Sequence, residues 1–276
     1  MNKIIWSYWH QGLDGAPAVV KPCINQWVNL NPDWELRFID QDSMYDFIEP
    51  LGIDKETLAK IPLAVSSDLF KLQLLIKYGG VWVDATTFPI VPLDDWLTDK
   101  MGAGYFFFYK PGRDRLISTW FIASEKNNIT LKLLYRNLIK YWNTNTFKNL
   151  SNPRSPSVTF LSKFVNRNLL LTKLWFSPLF TNILRLTPYF VTHYMFYKVI
   201  SDNKSLRHNF QLIPKVLADP SHSFKNDILM EPLLLDLKEL VDSRKVPVIK
   251  LSWRAIDKKI PSNSNLSYLF NQSNNL

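Results

Sequence analysis

A carboxylate follows a short apolar segment in the first third of the chain. Val81-Trp82-Val83 has the β-branched and aromatic character of a buried strand, and Asp84 comes directly after it. In open α/β sheets, ligands usually bind at the carboxyl ends of strands. Asp84 could therefore bind a hard divalent cation such as Mg²⁺ or Mn²⁺, with water and substrate phosphate oxygens completing its coordination. It could equally cap the following turn, and spacing alone favours neither interpretation.

Two further charged residues precede this strand. Asp68 and Lys71 lie within residues 64–78, where apolar residues recur at helical period until Gly79-Gly80. Glycine accepts the left-handed conformation found at helix ends, so the pair of glycines predicts where this helix stops. Three residues apart, Asp68 and Lys71 project from about the same side of the helix. They could hold sugar or ribose hydroxyls, or they could form a surface ion pair.

The order of elements around these residues predicts an α/β fold. A strand at 3–9, a helix at 17–31 and a strand at 34–40 precede the helix at 64–78 and the strand before Asp84. This alternation is typical of a mostly parallel, nucleotide-binding sheet. Further predicted elements are strands at 105–109 and 116–124, an amphipathic helix at 129–142 and a late strand at 246–253.

Residues at both ends of the chain could contact a nucleotide. Trp6 and Trp9 lie in or beside the first predicted strand, and Gln11 begins the loop after it. A tryptophan there could stack on a base, although tryptophans in a first strand are more often part of the core. Lys250 and Arg254, around the late strand, have the charge to neutralise a leaving diphosphate, and solvated strand ends explain them equally well.

Length and composition predict one large domain. The chain has 276 residues, of which 46% are hydrophobic, and this is enough for a substantial core. We predict a single domain at 1–260, with a helical insertion at about 126–210, and a flexible Asn- and Ser-rich tail at 261–276. The single cysteine, Cys23, is expected to be a small buried hydrophobe. No histidine has a partner at metal-ligand spacing, so no zinc site is predicted.

Basic residues are concentrated in one segment. Residues 126–201 contain eleven Lys and Arg and no acidic residue, so the net charge of +9 becomes −2 over the rest of the chain. No nucleic-acid-binding motif occurs there, and nucleic acid is not an expected partner. Within this segment, residues 169–200 are aromatic and aliphatic with few charges. They could be ordinary core helices or could dock on an anionic membrane. With no signal peptide or membrane-spanning run recognised, we expect a cytoplasmic protein that is peripheral on the inner face of the plasma membrane.

Several short motifs resemble one family of sugar transferases. The central run is Ser67-Asp68-x-x-Lys71 followed by Tyr78-Gly79-Gly80-Val81-Trp82-Val83-Asp84-Ala85-Thr86. It is similar to the signature of transferases with an Asp-x-Asp motif, and more narrowly to the capsular polysaccharide synthesis branch near glycosyltransferase family 32. Three flanking motifs are similar to the same branch: Ile4-Ile5-Trp6-Ser7-Tyr8-Trp9-x-Gln11-Gly12, Trp120-Phe121-Ile122-Ala123-Ser124 and Lys250-Leu251-Ser252-Trp253.

The resemblance implies a fold, a reaction and a set of site residues. It implies a GT-A-like fold and transfer of a hexose, with retention, from a nucleotide-sugar, most simply a UDP-sugar, to a capsular or other surface glycan. Asp84, with Thr86, would hold Mn²⁺ or Mg²⁺. Two residues depart from the pattern, because Thr86 stands in place of the second aspartate and Lys71 in place of an arginine. The donor would contact Trp6, Trp9, Gln11, Asp68, Lys71, Gly80, Lys250, Ser252, Trp253 and Arg254.

Two other functions are compatible with the same residues. The first is a sugar-phosphate transferase or a nucleotide-sugar hydrolase on the same scaffold. The second is a non-catalytic partner in polysaccharide assembly, raised by Thr86 in place of an acid. Fold resemblance by itself does not separate these functions, which differ in the product released from a nucleotide-sugar.

Overall fold

A five-stranded sheet lies at the centre of the computed structural model, which describes residues 1–255 and 260–272. The strand order is β2-β1-β3-β6-β5. Both β2 and β3 pair in parallel with β1, whereas β6 runs antiparallel to its neighbours β3 and β5. Four of these five strands therefore share a direction, and the predicted α/β fold with a mostly parallel sheet is confirmed. The strands of this sheet are β1 Ile4–Tyr8, β2 Glu35–Ile39, β3 Gly80–Val83, β5 Tyr105–Gly112 and β6 Arg115–Ser124.

A second, two-stranded sheet lies beside Asp84. It pairs β4 (Thr87–Pro89) with β7 (Val248–Lys250) in antiparallel register, with Thr87 opposite Lys250. The late strand predicted at 246–253 is thus shorter than expected, and it joins β4 rather than the central sheet. Its return to the first half of the chain places Lys250 next to the residues that follow β3.

Helices lie between the strands of the central sheet and after them in the chain. The helix α3 begins at Leu63 and ends at Tyr78, as its apolar period predicts. Gly79 and Gly80 have φ of 73° and 95°, and a Cβ on Gly80 would lie 2.4 Å from the carbonyl oxygen of Ile4. Glycine is therefore required where α3 turns into β3 against β1. The helices are α1 Val20–Leu30, α2 Lys55–Lys60, α3 Leu63–Tyr78, α4 Leu93–Trp96, α5 Ile129–Thr144, α6 Pro156–Val165, α7 Leu169–Thr172, α8 Val191–Asp202, α9 Lys204–Leu212, α10 Leu235–Asp242 and α11 Asn265–Asn271.

The segment at about 126–210 is helical, with two different environments. The side chains of α8 are mostly buried, and Phe196 packs on Phe107 of β5 with ring centroids 5.2 Å apart. By contrast, residues 156–184 expose six large apolar side chains. The core-helix interpretation of residues 169–200 therefore describes α8 well, whereas residues 169–184 combine buried side chains such as Trp175 and Phe180 with exposed apolar ones. Among the described residues, no helix has both the length and the apolar character needed to cross a membrane.

Residues 261–272 differ from the flexible tail expected at 261–276, of which residues 273–276 lie outside the described residues. Residues Asn265–Asn271 form α11, and Leu266 and Leu269 are fully buried. The Asn265 side chain accepts a hydrogen bond from the Leu234 amide and donates one to the Ile228 carbonyl. Composition suggested fraying because asparagine and serine are rich in this stretch. Two leucines at helical spacing and long-range hydrogen bonds instead fix the helix on the domain.

Candidate active site

Asp84 directly follows β3 and lies between two lysines. Its Oδ1 accepts a hydrogen bond from Trp82 Nε1 at 3.0 Å and lies 3.6 Å from Lys71 Nζ. Its Oδ2 lies 3.7 Å from Lys250 Nζ, and 35% of the side chain is exposed. Burial alone would raise the pKa of Asp84, but the two ammonium groups outweigh it and hold this pKa below its ordinary value. The carboxylate is therefore charged and fixed in orientation, and its side chain does not cap the following turn.

Asp68 and Lys71 form a buried ion pair. Their Oδ1 and Nζ atoms are 2.9 Å apart, and only 4% of the Lys71 side chain is exposed. Lys71 Nζ also donates to the carbonyl oxygen of Thr119 in β6, at 3.1 Å. Burial would lower the pKa of Lys71, but Asp68 and Asp84 outweigh it, so the pKa is raised. The surface ion pair considered from the sequence is thus a buried pair that links α3 to Asp84.

Lys250 contacts the residue that stands in place of the second aspartate. Its Nζ donates to Thr86 Oγ1 at 2.6 Å and to the Leu251 carbonyl oxygen at 3.2 Å. Thr86 is buried, and 18% of the Lys250 side chain is exposed. Burial lowers the pKa of Lys250, although Asp84 favours its charged form. The ammonium group therefore occupies the space between the Asp84 carboxylate and the Thr86 hydroxyl.

Three cavities meet at this cluster. Asp84 borders the first and second cavities, and Lys250 borders all three. The volumes of the first, second and third cavities are about 510, 650 and 640 Å³. The lining of the first cavity includes Arg115, Trp120, Tyr189, Phe190, His193, Asp219 and His222. The lining of the second includes Trp9, His10, Gln11, Trp82, Tyr189, Trp253 and Arg254. The lining of the third includes Thr86, Arg154, His222, Lys225, Ser252, Trp253 and Arg254.

The first and second cavities differ in chemical character. Three tryptophans border the second cavity, and two of them, Trp9 and Trp253, have their rings in edge-to-face contact at a centroid distance of 6.2 Å. Aromatic faces of this kind suit a nucleoside base. The first cavity instead presents Asp68 together with two histidines and Arg115. Such polar and charged groups suit the hydroxyls of a sugar.

Most of the sequence-predicted site residues come together here, and two do not. Asp68, Lys71, Asp84, Thr86 and Lys250 form one cluster, Trp9, Gln11, Trp253 and Arg254 border the second cavity, and Ser252 borders the third.

Trp6 and Gly80 are corrected to structural roles. Trp6 is fully buried in the core, where its Nε1 donates to the Gly79 carbonyl oxygen at 3.0 Å. Gly80 is buried in β3, opposite Ser124 of β6. Trp6 holds the turn between α3 and β3, and Gly80 permits the close approach of β1.

Two residues of the first cavity, Arg115 and His222, are not among the predicted site residues. Arg115 lies 3.3 Å from Asp114 through Nε and packs over the Phe190 ring at 4.2 Å. His222 contacts Trp120 edge-to-face with ring centroids 5.6 Å apart. Arg115 lies in β6, Phe190 directly precedes α8 and His222 ends a 3-10 turn at Asp219–His222, so only the fold brings them together. Trp120 lies in a motif noted above, and it is the member of that motif that faces a cavity.

The oxygen atoms around Asp84 do not fit a divalent cation. The Asp84 carboxylate has an ammonium group within 4 Å of each oxygen, and the Thr86 hydroxyl already accepts from Lys250. The Asp68 carboxylate, which borders the same cavity, is paired with Lys71. Hard cations require several free oxygen ligands, and like charges nearby oppose their binding. Within the described ranges, no three His, Cys, Asp or Glu side chains form a metal-binding group.

Comparison with known proteins identifies the family. Residues 1–149, more than half of the chain, match the family described as capsular polysaccharide synthesis protein. The chain belongs to this family. The matched range contains Asp68, Lys71, Asp84 and Thr86, whereas Lys250 and the other carboxyl-terminal site residues lie beyond it.

Relatives of this family member are glycosyltransferases. It is 27% identical over 160 residues to the O-glycosyltransferase braB of Annulohypoxylon truncatum, covering 51% of this chain and 38% of braB. It is 27% identical over 159 residues to the O-glycosyltransferase PaGT of Phomopsis amygdali, covering 51% of this chain and 39% of PaGT. The chain thus spans about two fifths of the length of these relatives. Among solved structures, the PaToxG glycosyltransferase aligns with a TM-score of 0.44 and 13% identity over 88% of this chain and 83% of that chain.

Proposed function

We propose that this protein is a retaining glycosyltransferase. It moves a hexose from a nucleotide-sugar, most simply a UDP-sugar, to a capsular or other cell-surface polysaccharide. The observation that carries the proposal is the position of Asp84, which lies at the carboxyl end of β3 where an aromatic cavity meets a polar one. Membership of the capsular polysaccharide synthesis family supports the same reaction class.

Each of the two adjoining cavities binds a different part of the nucleotide-sugar. The base stacks beside Trp9 and Trp253 in the second cavity, near Gln11. The diphosphate lies where the cavities meet, beside Lys250 and Arg254. The hexose enters the first cavity, where the Asp68 carboxylate accepts hydrogen bonds from its hydroxyls. Lys71 is too enclosed to be a main donor contact and instead positions Asp68 and Asp84.

The transfer exchanges one bond at the anomeric carbon for another. The bond from that carbon to the β-phosphate oxygen breaks, and its electron pair stays on the diphosphate. The acceptor hydroxyl forms the new bond on the same face, and its proton passes to the departing phosphate oxygen. Asp68 and Asp84 are both paired with lysines, which supports front-face attack without an enzyme nucleophile. Cationic groups beside the diphosphate supply the main stabilisation of the transition state.

A nucleotide-release screen tests this function. The purified chain is given each common UDP- and GDP-sugar, with and without Mn²⁺, and UDP, GDP, UMP and free sugar are measured. We expect slow release of the nucleoside diphosphate from one donor, because water can replace a missing acceptor. Addition of glycan acceptors should then yield a glycoside. Asp84→Asn is the matched variant, and we expect its rate to fall, because Lys250 loses the carboxylate that favours its charged form.

The alternative functions give different results in the same screen. UMP as product would indicate a sugar-phosphate transferase, whereas free sugar whose yield no acceptor diverts would indicate a hydrolase. Donor binding without turnover, with every acceptor tried, would indicate a non-catalytic partner in polysaccharide assembly. Full activity of Asp84→Asn would contradict the role of this carboxylate.

An exposed apolar surface supports docking of this enzyme on an anionic membrane, where a lipid-linked acceptor would be found. Residues 156–184 contain α6, α7, a 3-10 turn at Lys173–Phe176 and a π-helical turn at Leu179–Leu184. Lys163 and Arg167 are exposed beside the apolar side chains, and no acidic residue occurs between 126 and 201. Apolar side chains flanked by basic ones suit the interface of an anionic bilayer. The exposed side chains are Phe160, Phe164, Leu170, Leu174, Leu179 and Ile183, with Leu170 and Ile183 each 70% exposed.

Vesicle sedimentation tests the apolar surface. We expect binding to vesicles that contain phosphatidylglycerol and much weaker binding to phosphatidylcholine alone. Leu170→Ser with Ile183→Ser should weaken binding about tenfold, because two apolar side chains no longer enter the bilayer. Leu235→Ser on α10, at a side chain that is 80% exposed, is the matched control and should leave binding unchanged. Equal binding by both variants would contradict this docking surface.

A further inference from the structure

We propose that Lys250 takes the place of a divalent cation at the donor diphosphate, so that nucleotide-sugar binding does not require a metal. This inference rests on the glycosyltransferase function proposed above and specifies how its site holds the donor. The family resemblance implies a divalent metal, but the oxygen atoms around Asp84 do not fit one.

The Lys250 ammonium group lies where the motif would place a cation. Residues 84 and 86 are the first and third positions of the motif at which related transferases are expected to hold a cation. In this chain, Lys250 Nζ lies 3.7 Å from Asp84 Oδ2 and 2.6 Å from Thr86 Oγ1. The positive charge that a cation would supply is therefore already present between these two side chains.

Strand pairing and hydrogen bonds hold Lys250 in place. Its backbone ends β7, whose register places it opposite Thr87, and the next amide, of Leu251, donates to the Thr86 carbonyl oxygen at 2.9 Å. Two of the three ammonium donors are engaged by Thr86 and by the Leu251 carbonyl. The strand pairing thus sets where the charge lies, and a pre-organised cation needs no rearrangement when a diphosphate arrives.

A ligand can reach Lys250 from the adjoining cavities. Lys250 borders all three cavities, so a diphosphate that joins a base in the second cavity to a sugar in the first must pass beside it. The third cavity continues this positive region with Arg154, Lys225 and Arg254, and its described lining contains no acidic residue. A nucleoside diphosphate is the anion that fits a positive centre placed between an aromatic and a polar cavity.

The charges of the four side chains in the cluster balance one another. Asp68 and Asp84 together carry two negative charges, and Lys71 and Lys250 carry two positive ones. Asp84 is therefore neutralised before any ligand binds. A divalent cation would meet two ammonium groups within a few ångströms, whereas a diphosphate meets a fixed ammonium that faces open space. The cluster can therefore accept an anion, and its two ammonium groups oppose the binding of a metal cation.

Calorimetric titration of UDP and GDP into the full chain tests this inference. Titrations are made in EDTA and, separately, in MnCl₂, with Lys250→Ala, Lys250→Arg and the matched control Lys245→Ala, an exposed lysine just before β7. We expect one nucleotide to bind with similar Kd in both buffers. Lys250→Ala should weaken binding in EDTA by about 10- to 100-fold, the loss typical of a charge-assisted hydrogen bond, while Lys250→Arg retains most of the affinity. Lys245→Ala should bind as the unaltered protein does.

The outcomes separate this inference from the proposed function. Binding and turnover that occur only with Mn²⁺ would overturn the inference and leave the glycosyltransferase function standing. Undiminished affinity of Lys250→Ala in EDTA would overturn it as well, provided that circular dichroism shows the variant folded. If neither nucleotide binds in either buffer and no donor is turned over, the proposed function fails and the inference fails with it.

Discussion

Two lysines flank Asp84, and their surroundings differ. Lys71, on α3, is almost completely enclosed and is paired with the Asp68 carboxylate at 2.9 Å. Lys250, at the end of β7, is bonded to neutral oxygens and borders three cavities. The pKa of Lys71 is raised by its carboxylates, whereas burial lowers the pKa of Lys250.

This difference separates a structural charge from a ligand-binding charge. Lys71 is the buried partner of Asp68 and one of the two ammonium groups beside Asp84, so its removal should affect folding first. Lys250 is held in place by two hydrogen bonds to neutral oxygens and lies 3.7 Å from Asp84, and an incoming anion would add to the stabilisation of its charge. The same residue type at two sides of one carboxylate therefore serves two purposes, which substitution can distinguish.

Loss of Lys71 should give the largest effect, and it should be on stability. Lys71→Met leaves Asp68 without its partner in a buried site and removes one of the two ammonium groups beside Asp84, and breaking a buried pair destabilises proteins by about 3–5 kcal/mol. Urea unfolding followed by circular dichroism measures this change. Lys77→Met, on the same helix, is the control, because the Lys77–Glu49 pair is largely exposed and surface pairs contribute about 1 kcal/mol or less. Similar midpoints for both variants would remove the distinction between the two lysines.

Loss of Lys250 should give the opposite pattern. Lys250→Met removes a charge whose burial is unfavourable, so the free energy of unfolding should change by only about 1 kcal/mol or less. Transfer from the nucleotide-sugar should fall by about 100- to 1000-fold, as when one donor to a developing negative charge is removed. Unfolding and kcat/KM are measured on the same preparation. A variant that is unstable and fully active would show that Lys250 is a structural residue.

Much of the fold could be predicted because its signals are local. The apolar period of residues 64–78, the following Gly79-Gly80 and the alternation of helices with strands all act within a few residues. The bounds of α3 and the parallel pairing of β1, β2 and β3 agree with these signals. The α11 helix could not be predicted in this way, because its stability depends on burial of Leu266 and Leu269 against distant elements.

The site could be predicted only in part, for the same physical reason. Asp68 and Asp84 lie in one continuous stretch with recognisable residue types, and they do come together. Contact between Lys250 and Thr86 joins residues 164 positions apart, and no local pattern reports it. Trp6 and Trp9 are equally aromatic and three residues apart, yet one is in the core and the other borders a cavity. Trp6 lies within β1 and Trp9 lies just after its end, and no local pattern marks where the strand stops.

His193 offers a further test of the enclosed side of the cluster. This histidine is buried in α8 beside the first cavity, its Nδ1 has no hydrogen-bond partner among the described residues, and the charged groups that act on it are Asp68, Arg115, Lys71 and Asp114. Burial lowers its pKa from 6.5 to about 4. The unfolded chain therefore binds a proton that the folded chain does not between these values, and stability is lost as the pH falls through this range.

The expected loss is measurable by unfolding at two pH values. Between pH 7 and pH 5, His193 should contribute about 2 kcal/mol of the decrease in unfolding free energy. His193→Gln should remove this part of the decrease, and His208→Gln, at an exposed position of α9, should not. An unchanged pH dependence in His193→Gln would show that the enclosed side admits water, and the contrast with Lys250 would then weaken.

The pH dependence of transfer gives the smallest and most specific test of Lys250. The charged and titratable groups around its ammonium are Asp84, Lys71, Cys23 and His222, and burial holds the pKa of Lys250 below the ordinary lysine value of 10.5. Because the ammonium must be charged to hold a diphosphate, kcat/KM should fall as the pH rises through this lowered pKa. Lys250→Arg stays charged over the whole range and should move the decline to higher pH, while Lys245→Ala should leave it in place. A decline that Lys250→Arg does not move would assign the titration to another group, and Lys250 would lose its distinction from Lys71 as the lysine that meets the donor.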